Sequence, residues 1–413
     1  MDLANPKVVL DKLESVVESK NYLHKIKIIK HLYVRGSNTA SNIGQQVGIS
    51  LPTVSLLLAD LLDDKLVVKE GRGASQGGRK PDLYGLGDDS FYIVAIDLSK
   101  YSARVAIYNS KNTKVSEVQQ LKISLGNDAE TLNKLHRFTL EAIKKSKVSD
   151  KKIIAIGVSM PGLVDSKTGI NHTYLKAGKK PLKDQLEKLF GKKVFVDNDA
   201  RAMTLAEFRF GHPEKQKNVL GIFVDWGIGL GIIIDGKLYR GSSGFAGEFS
   251  HSPLFDAKEI SCTCGKRGCL ETVASGTAVV RMGKEAIAMK KGTILANMAR
   301  EKGGDYKPEW VVEAALAGDH EAISILSEAG MNLGRGIAIL IQLLNPGLII
   351  LGGTLSEAKN YVLTPIQQAL NIYSMPRLSE KTEIRLSALG KEVGLKGAVA
   401  IVHECIFEDA FSN

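Results

Sequence analysis

Three of the four cysteines in this 413-residue sequence lie within eight residues, in the run Cys262-Thr-Cys264-Gly-Lys-Arg-Gly-Cys269. Thiolates this close, on a loop that Gly265 and Gly268 allow to fold tightly, have the chemistry of a metal site. The N-terminal segment MDLANPKVVLDKLESVVESK carries scattered acids and no apolar run, unlike a secretory signal. The cysteines are therefore expected to be reduced in the cytoplasm, where clustered thiols are ligands more often than disulfides. Tetrahedral Zn2+ takes four ligands, and His251, in AGEFSH just upstream, is the nearest candidate for the fourth. Cys262, Cys264, Cys269 and His251 would then form a structural zinc site of net charge about −1, which Lys266 and Arg267 offset. Cys405, in VHECIFE, is expected to serve apolar packing.

The elements around this cluster follow from composition and periodicity. A length of 413 residues implies two or three domains. An apolar fraction of 44% suffices for packed cores, and a charged fraction of 24% is ordinary for a globular chain. The most apolar long segment, GIAILIQLLNPGLIILGG, is broken by Gln342, Asn345, Pro346 and glycines, which argues against a membrane span. The net charge of +10 permits a polyanionic partner. Residues 1–89 are nearly balanced in charge, so the basic excess resides elsewhere.

Residues 39–70 have the spacing of a helix-turn-helix. Ala40, Ile43 and Val47 share one helical face, Gly48 ends that helix, and Ser50 and Pro52 suit the cap and first turn of the next. Val54, Leu57, Leu58, Leu61 and Leu62 then form the second apolar face. An earlier helix, roughly Leu23 to Arg35, supplies a third wall. The following LVVKEGRGASQGGRKPDLYGL reads as a β-ribbon with a glycine-rich basic tip, the pattern of a wing beside a recognition helix. Ser50, Thr53, Ser55 and Leu56 on the second helix, with Arg72, Arg79 and Lys80 on the wing, are the candidate contacts to double-stranded operator DNA. Hydroxyls discriminate bases weakly, so the operator sequence is not legible from this helix.

From about residue 91, short apolar runs ending in Gly, Asp or Asn alternate with helical stretches, the signature of a layered α/β architecture. GSSGFAGEFSH (241–251) followed by CTCGKRGCLE (262–271) resembles the ROK family of sugar kinases and sugar-responsive repressors. VDNDARAMTLAE (196–207) resembles that family's Asn-Asp catalytic segment, and NPGLIILGGTLS (345–356) its late nucleotide-side strand and turn. The resemblance runs from about Phe91 to the C-terminus. Together with the helix-turn-helix ahead of it, it matches the repressor branch, of the N-acetylglucosamine and xylose type. It implies a two-lobed, actin-like ATPase (ribonuclease H-like) sugar-kinase fold behind an N-terminal winged helix-turn-helix, with sugar in the cleft between lobes. The expected divisions are 1–88 for the winged helix and linker, 89–200 with 394–413 returning for the small lobe, and 201–393 for the large lobe with the zinc site and oligomer contacts.

Carried onto matching positions, the resemblance implies a sugar or sugar-phosphate site of Asn198, Asp199, Glu248, His251 and Glu271. Carboxylates suit adjacent sugar hydroxyls, and His251 would bind zinc through one ring nitrogen while leaving the other for the sugar. Asp199 would also cap the helix that follows it. In a kinase Asp199 would be the base, but the phosphate turns depart from the family pattern. Asp97-Leu98-Ser99-Lys100-Tyr101 lacks the glycines and threonine of Asp-x-Gly-Gly-Thr, and Asp225-Trp226-Gly227 replaces Gly-Thr-Gly. These departures predict a sensor with a vestigial base rather than an enzyme. Arg201, where the family has Asn, would suit a phosphate or carboxylate on the sugar. A homodimer or homotetramer would pair two winged helices on a palindromic operator.

Overall fold

Local punctuation sets the N-terminal elements. Helix α1 (Val16–Arg35) starts earlier than its apolar spacing suggests because the Ser15 side chain accepts from the Val17 N–H and caps it. Helix α2 (Ala40–Val47) is capped by Thr39, which accepts from the Asn42 N–H, and stopped by Gly48 in the left-handed region at φ 71°. Helix α3 (Leu51–Asp63) follows directly. Ser50 occupies its N-cap position but makes no backbone capping bond. Pro52 removes one of the amides it would reach, and its Oγ lies 2.8 Å from Thr53 Oγ1 instead. Ile26, Ile29, Ile43, Val54, Leu57, Leu58 and Leu61 are buried together. Strands β1 (Val67–Arg72) and β2 (Asp82–Leu86) pair antiparallel, completing a winged helix-turn-helix.

The computed structural model describes residues 3, 6–13, 15–73, 80–176, 180–212, 216–255, 260–289, 293–303 and 306–409. It divides into two compact units, Met1–Ala202 with Gly394–Asn413, and Met203–Val393.

In the first unit the wing runs into β3 (Tyr92–Ser99), which joins β4 (Ser102–Asn109), β5 (Gln119–Lys122), β6 (Ile153–Met160) and β7 (Lys193–Asn198) in a sheet of order β7-β6-β3-β4-β5. β3, β6 and β7 are parallel, and β3-β4-β5 is an antiparallel meander. Alternation along the strands gives each face its own partner. Val94, Ile96, Val105, Ile156, Val158 and Val194 pack with α4 (Ala129–Ser146) and α5 (Leu182–Phe190). Ala95, Ala106 and Ala155, on the other face, pack with the C-terminal helix (Val393–Asp409). Small residues let that helix come close; any Cβ at Gly157 would collide with the Ala398 carbonyl. The same helix shares its core with Ile26, Ile29 and Leu57 of the winged helix. Helix α6 (Asp199–Ala206) follows β7.

The second unit has a sheet of order β10-β9-β8-β11-β12, formed by β8 (Val219–Val224), β9 (Ile228–Ile234), β10 (Lys237–Leu238), β11 (Leu348–Gly352) and β12 (Glu383–Leu386). Its core includes the long helix α7 (His320–Leu344), packed against α8 (Asn360–Tyr373). Among the described residues no single helix is long and apolar enough to cross a membrane.

Candidate functional site

The cysteine loop is folded by its own backbone. Cys262 N–H donates to the Lys266 carbonyl at 2.8 Å, and Gly265 N–H to the Cys262 carbonyl at 2.9 Å. Gly265 and Gly268 take φ values of 84° and 73°, which favour glycine, and a side chain at Gly268 would strike the Phe255 carbonyl. A short bridge from Ser261 to Arg267 closes the loop on itself, and one from Cys269 to Pro253 fixes it against the segment that carries His251.

This folding brings His251, Cys262, Cys264 and Cys269 together, with their ligand atoms all within 4.8 Å of one another. His251 Nδ1 lies 3.3 Å from Cys262 Sγ, and Cys264 Sγ lies 3.7 Å from Cys269 Sγ. Bond lengths of about 2.3 Å to sulfur and about 2.0 Å to nitrogen give tetrahedral edges of about 3.5–3.8 Å. The four side chains therefore fit a metal ion of that kind. Burial pushes the Cys269 thiol up to about 12, whereas the Lys266 backbone N–H lowers the Cys264 thiol. Metal binding must then displace protons from a partly buried thiol set.

Three of the expected sugar residues stand around this cluster in the second unit. His251 turns Nδ1 toward Cys262, while its Nε2 lies 3.9 Å from the Glu248 carboxylate. The ring is thus placed to use its two nitrogens on different partners. Glu248 and His251 belong to one 3-10 turn, Glu248–His251. Glu271 opens the short helix Glu271–Ala274 two residues after Cys269, and its Oε2 is 3.5 Å from the Ile228 N–H.

Asn198 and Asp199 lie in the first unit, where β7 passes into α6. The cap expected of Asp199 is made by Asn198, whose Oδ1 accepts from the Arg201 N–H at 3.3 Å. Asn198 precedes the first helical residue, and only from there does a side chain reach the third amide. Asp199 instead sits in the first turn and accepts from the Ala200 N–H at 2.8 Å.

Arg201 does not fit the expectation of an anion-binding guanidinium. It is 1% exposed, its Nε donates to Asp197 Oδ1 at 2.7 Å, and its Nη2 donates to the Val164 carbonyl at 2.6 Å. The reason is Asp197, a fully buried carboxylate four residues earlier on β7, which needs a cation. Sequence spacing placed Arg201 near Asp199 but gave no sign of which way its side chain turns.

On the winged helix, Ser50, Ser55, Leu56, Arg72 and Lys80 are exposed and Thr53 is half-buried. Arg79 lies outside the described residues. Cys405 packs against the core shared by the winged helix and the sheet, as its apolar surroundings suggest.

The two turns that the sequence sets apart from the kinase pattern each have an internal partner. The Asp97 carboxylate pairs with Arg104 on β4 at 2.5 Å, and Lys100 sits over the Tyr101 ring at 5.1 Å. Asp225 Oδ1 accepts from both the N–H and the hydroxyl of Thr354, at 2.8 and 2.7 Å.

Residues 93–405 match the model of the ROK family, three quarters of the chain. The chain belongs to the ROK family. This ROK protein is 29% identical over 383 residues to the xylose repressor of Caldicellulosiruptor bescii, covering 92% of this chain and 95% of the repressor. It is 36% identical over 258 residues to a glucokinase of Halalkalibacterium halodurans, a match that covers 62% of this chain and 78% of the enzyme. Its fold matches a solved ROK family transcriptional regulator, a homologue of the E. coli Mlc protein, with a TM-score of 0.80 at 24% identity over 95% of this chain and 98% of that one. Repressors of the family thus align with nearly the whole chain, and kinases with the portion they share.

Proposed function

We propose that this ROK protein is a transcriptional repressor that binds operator DNA through its winged helix and releases it when a sugar or sugar phosphate binds. The observation that carries this reading is the core in which the C-terminal helix packs on both the winged helix and the small-lobe sheet. A DNA reader built into a kinase-like lobe has its placement set by that lobe. Relatives of matching length include xylose repressors, and DNA binding of this kind belongs in the cytoplasm.

The sugar ligands in this reading are Asn198, Asp199, Glu248, His251 and Glu271. His251, Cys262, Cys264 and Cys269 would hold Zn2+. When bound, the ion would supply no reactive step but would neutralise thiolates and fix the loop. His251 Nε2 and the Glu271 carboxylate, each next to a ligand residue, would then be oriented toward sugar hydroxyls.

A route from ligand to DNA runs through the first unit. Asp199 begins α6, and Ala202 of α6 lies against Gly397 of the C-terminal helix so closely that a Cβ at Gly397 would come within 2.9 Å of the Ala202 backbone. About 9 Å further along that helix, His403 stacks on Tyr33 of α1. A ligand that shifts α6 would therefore shift the platform under the winged helix. It can do so only through unequal affinity for the two arrangements. A homodimer or homotetramer would present paired winged helices to a palindromic site.

The glucokinase similarity favours a second reading, an ATP-dependent sugar kinase that also binds DNA. Against it, Asp225 occupies Thr354 donors and places negative charge in a phosphate turn, and Ser99, Lys100 and Tyr101 stand where the other would have two glycines and a threonine. A melting-temperature screen with sugars and sugar phosphates, followed by DNA shifts with each hit, tests the repressor reading. ATP turnover with a hexose panel tests the kinase. Turnover at enzyme-like rates without any ligand effect on DNA affinity would reverse the assignment.

A further inference from the structure

The positive charge of this protein is concentrated where neither the winged helix nor the sugar residues lie. Residues 129–193 hold fifteen Lys and Arg against six Asp and Glu, so this stretch carries nine of the chain's ten net charges. Much of the excess falls in two short junctions. One is KKSKVSDKK (144–152), between α4 and β6, and the other is KLFGKK (188–193), between α5 and β7. Lys192 Nζ bonds both the carbonyl and the carboxylate of Asp150 and so ties the two junctions together.

Strand register puts these junctions on the rim of the sheet from which the winged helix hangs. Tyr92, the first residue of β3, pairs with Ile153 at the start of β6 and with Asn109 at the end of β4, and Lys193 at the start of β7 pairs with Ala155. The parallel strands β3, β6 and β7 therefore begin along one edge, within about 10 Å at a strand spacing of about 4.8 Å. The winged helix is attached at that edge. Ser90 Oγ donates to the Lys65 and Leu66 carbonyls, Ser110 Oγ to the Gly87 carbonyl, and Lys111 pairs with Glu70 and Asp88. Lys144, Lys147, Lys151, Lys152 and Lys188 on the rim are exposed, and none has a carboxylate partner among the described residues.

We infer that this lysine rim is a second DNA-contacting surface, which holds the phosphates of duplex flanking the site read by the winged helix. Unpaired ammonium groups on short junctions suit phosphate without regard to base sequence. Continuity with the DNA reader favours a duplex over an acidic protein. The inference rests on the DNA-binding reading and adds to it a longer, sequence-independent footprint.

The test compares the native full-length chain with the Lys144→Gln, Lys147→Gln, Lys151→Gln, Lys152→Gln variant on 20- and 50-base-pair random-sequence duplexes across a salt series. The native chain should bind the longer duplex more tightly per site. The variant should lose that advantage, and its slope of log affinity against log salt should fall by about two to four, near 0.9 for each phosphate contact removed. In the native chain, the same four lysines should become protected from acetylation when the 50-base-pair duplex is added, a readout that needs no variant. An unchanged slope with unchanged acetylation would overturn the rim as a DNA surface while leaving the winged-helix reading intact. Failure of the native chain to bind any duplex would overturn both.

Discussion

Tyr33 and His403, 370 positions apart in sequence, stack with ring centroids 3.6 Å apart and planes 23° from parallel. Tyr33 belongs to the winged helix and His403 to the C-terminal helix, and the Tyr33 hydroxyl also donates to Asn112 at 2.6 Å, at the end of the β4 hairpin. One side chain thus joins the DNA reader to both the helix and the sheet beneath it. Tyr33→Ala should leave ligand-induced melting shifts unchanged while reducing the ratio of DNA affinities without and with ligand by about tenfold, the weight of an aromatic pair worth up to about 1.5 kcal/mol. Paired fluorescence anisotropy titrations measure that ratio, and a variant with full ligand response would remove Tyr33 from the route.

The wing is held to the lobe by charge. Hydrogen bonds from Lys111 and Ser37 keep the Glu70 carboxyl below its ordinary value of 4.5, and Asp88 and Glu70 raise Lys111 above 10.5. The Glu70 contribution is complete above pH 4.5 and is lost as pH falls through the lowered value. The Lys111 contribution is complete below pH 10.5 and is lost as pH rises through the raised one. Amide exchange in β1, corrected for intrinsic rates, should be flat between those limits and accelerate on acidification. Lys111→Ala should show the faster exchange already at neutral pH.

Metal content provides a third check. Purified protein should carry one zinc per chain, and Cys262→Ser or Cys269→Ser should lose it and melt at lower temperature. Because burial holds the Cys269 thiol at about 12 without metal, binding must release its proton. Zinc affinity should therefore weaken as pH is lowered, up to about tenfold per pH unit for each proton displaced. A zinc-free chain with native melting would contradict the site.

Arg201→Met should destabilise the fold by about 3–5 kcal/mol, because it strands the buried Asp197 carboxylate. Affinity for a sugar phosphate relative to the free sugar should not change, since the guanidinium faces inward. Denaturant melts and ligand titrations of the folded fraction separate the two effects.

Much of this was legible from local sequence. Gly48, Pro52 and the Val54–Leu61 face specify the helix-turn-helix because turn and cap chemistry act over a few residues. The cysteine spacing with His251 specified the cluster because short loops leave few ways to arrange four ligands. Three features were not legible. Arg201 faces inward because of a tertiary partner set by β7. Ser50 lost its cap bond to the combined effect of Pro52 and Thr53. The C-terminal segment was expected to return to the small lobe, but its packing on the winged helix rests on contacts hundreds of residues apart. Its run Ala398–Val402, apolar on every side, was the one available signal that it is covered all round.

The most direct measurement is the affinity of the full-length protein for a duplex selected from a random pool, with and without each sugar or sugar phosphate that raises its melting temperature. Sequence-selective binding that at least one such ligand weakens tenfold or more is the expected result. Selective binding that no stabilising ligand alters, or no selective binding at all, would contradict it.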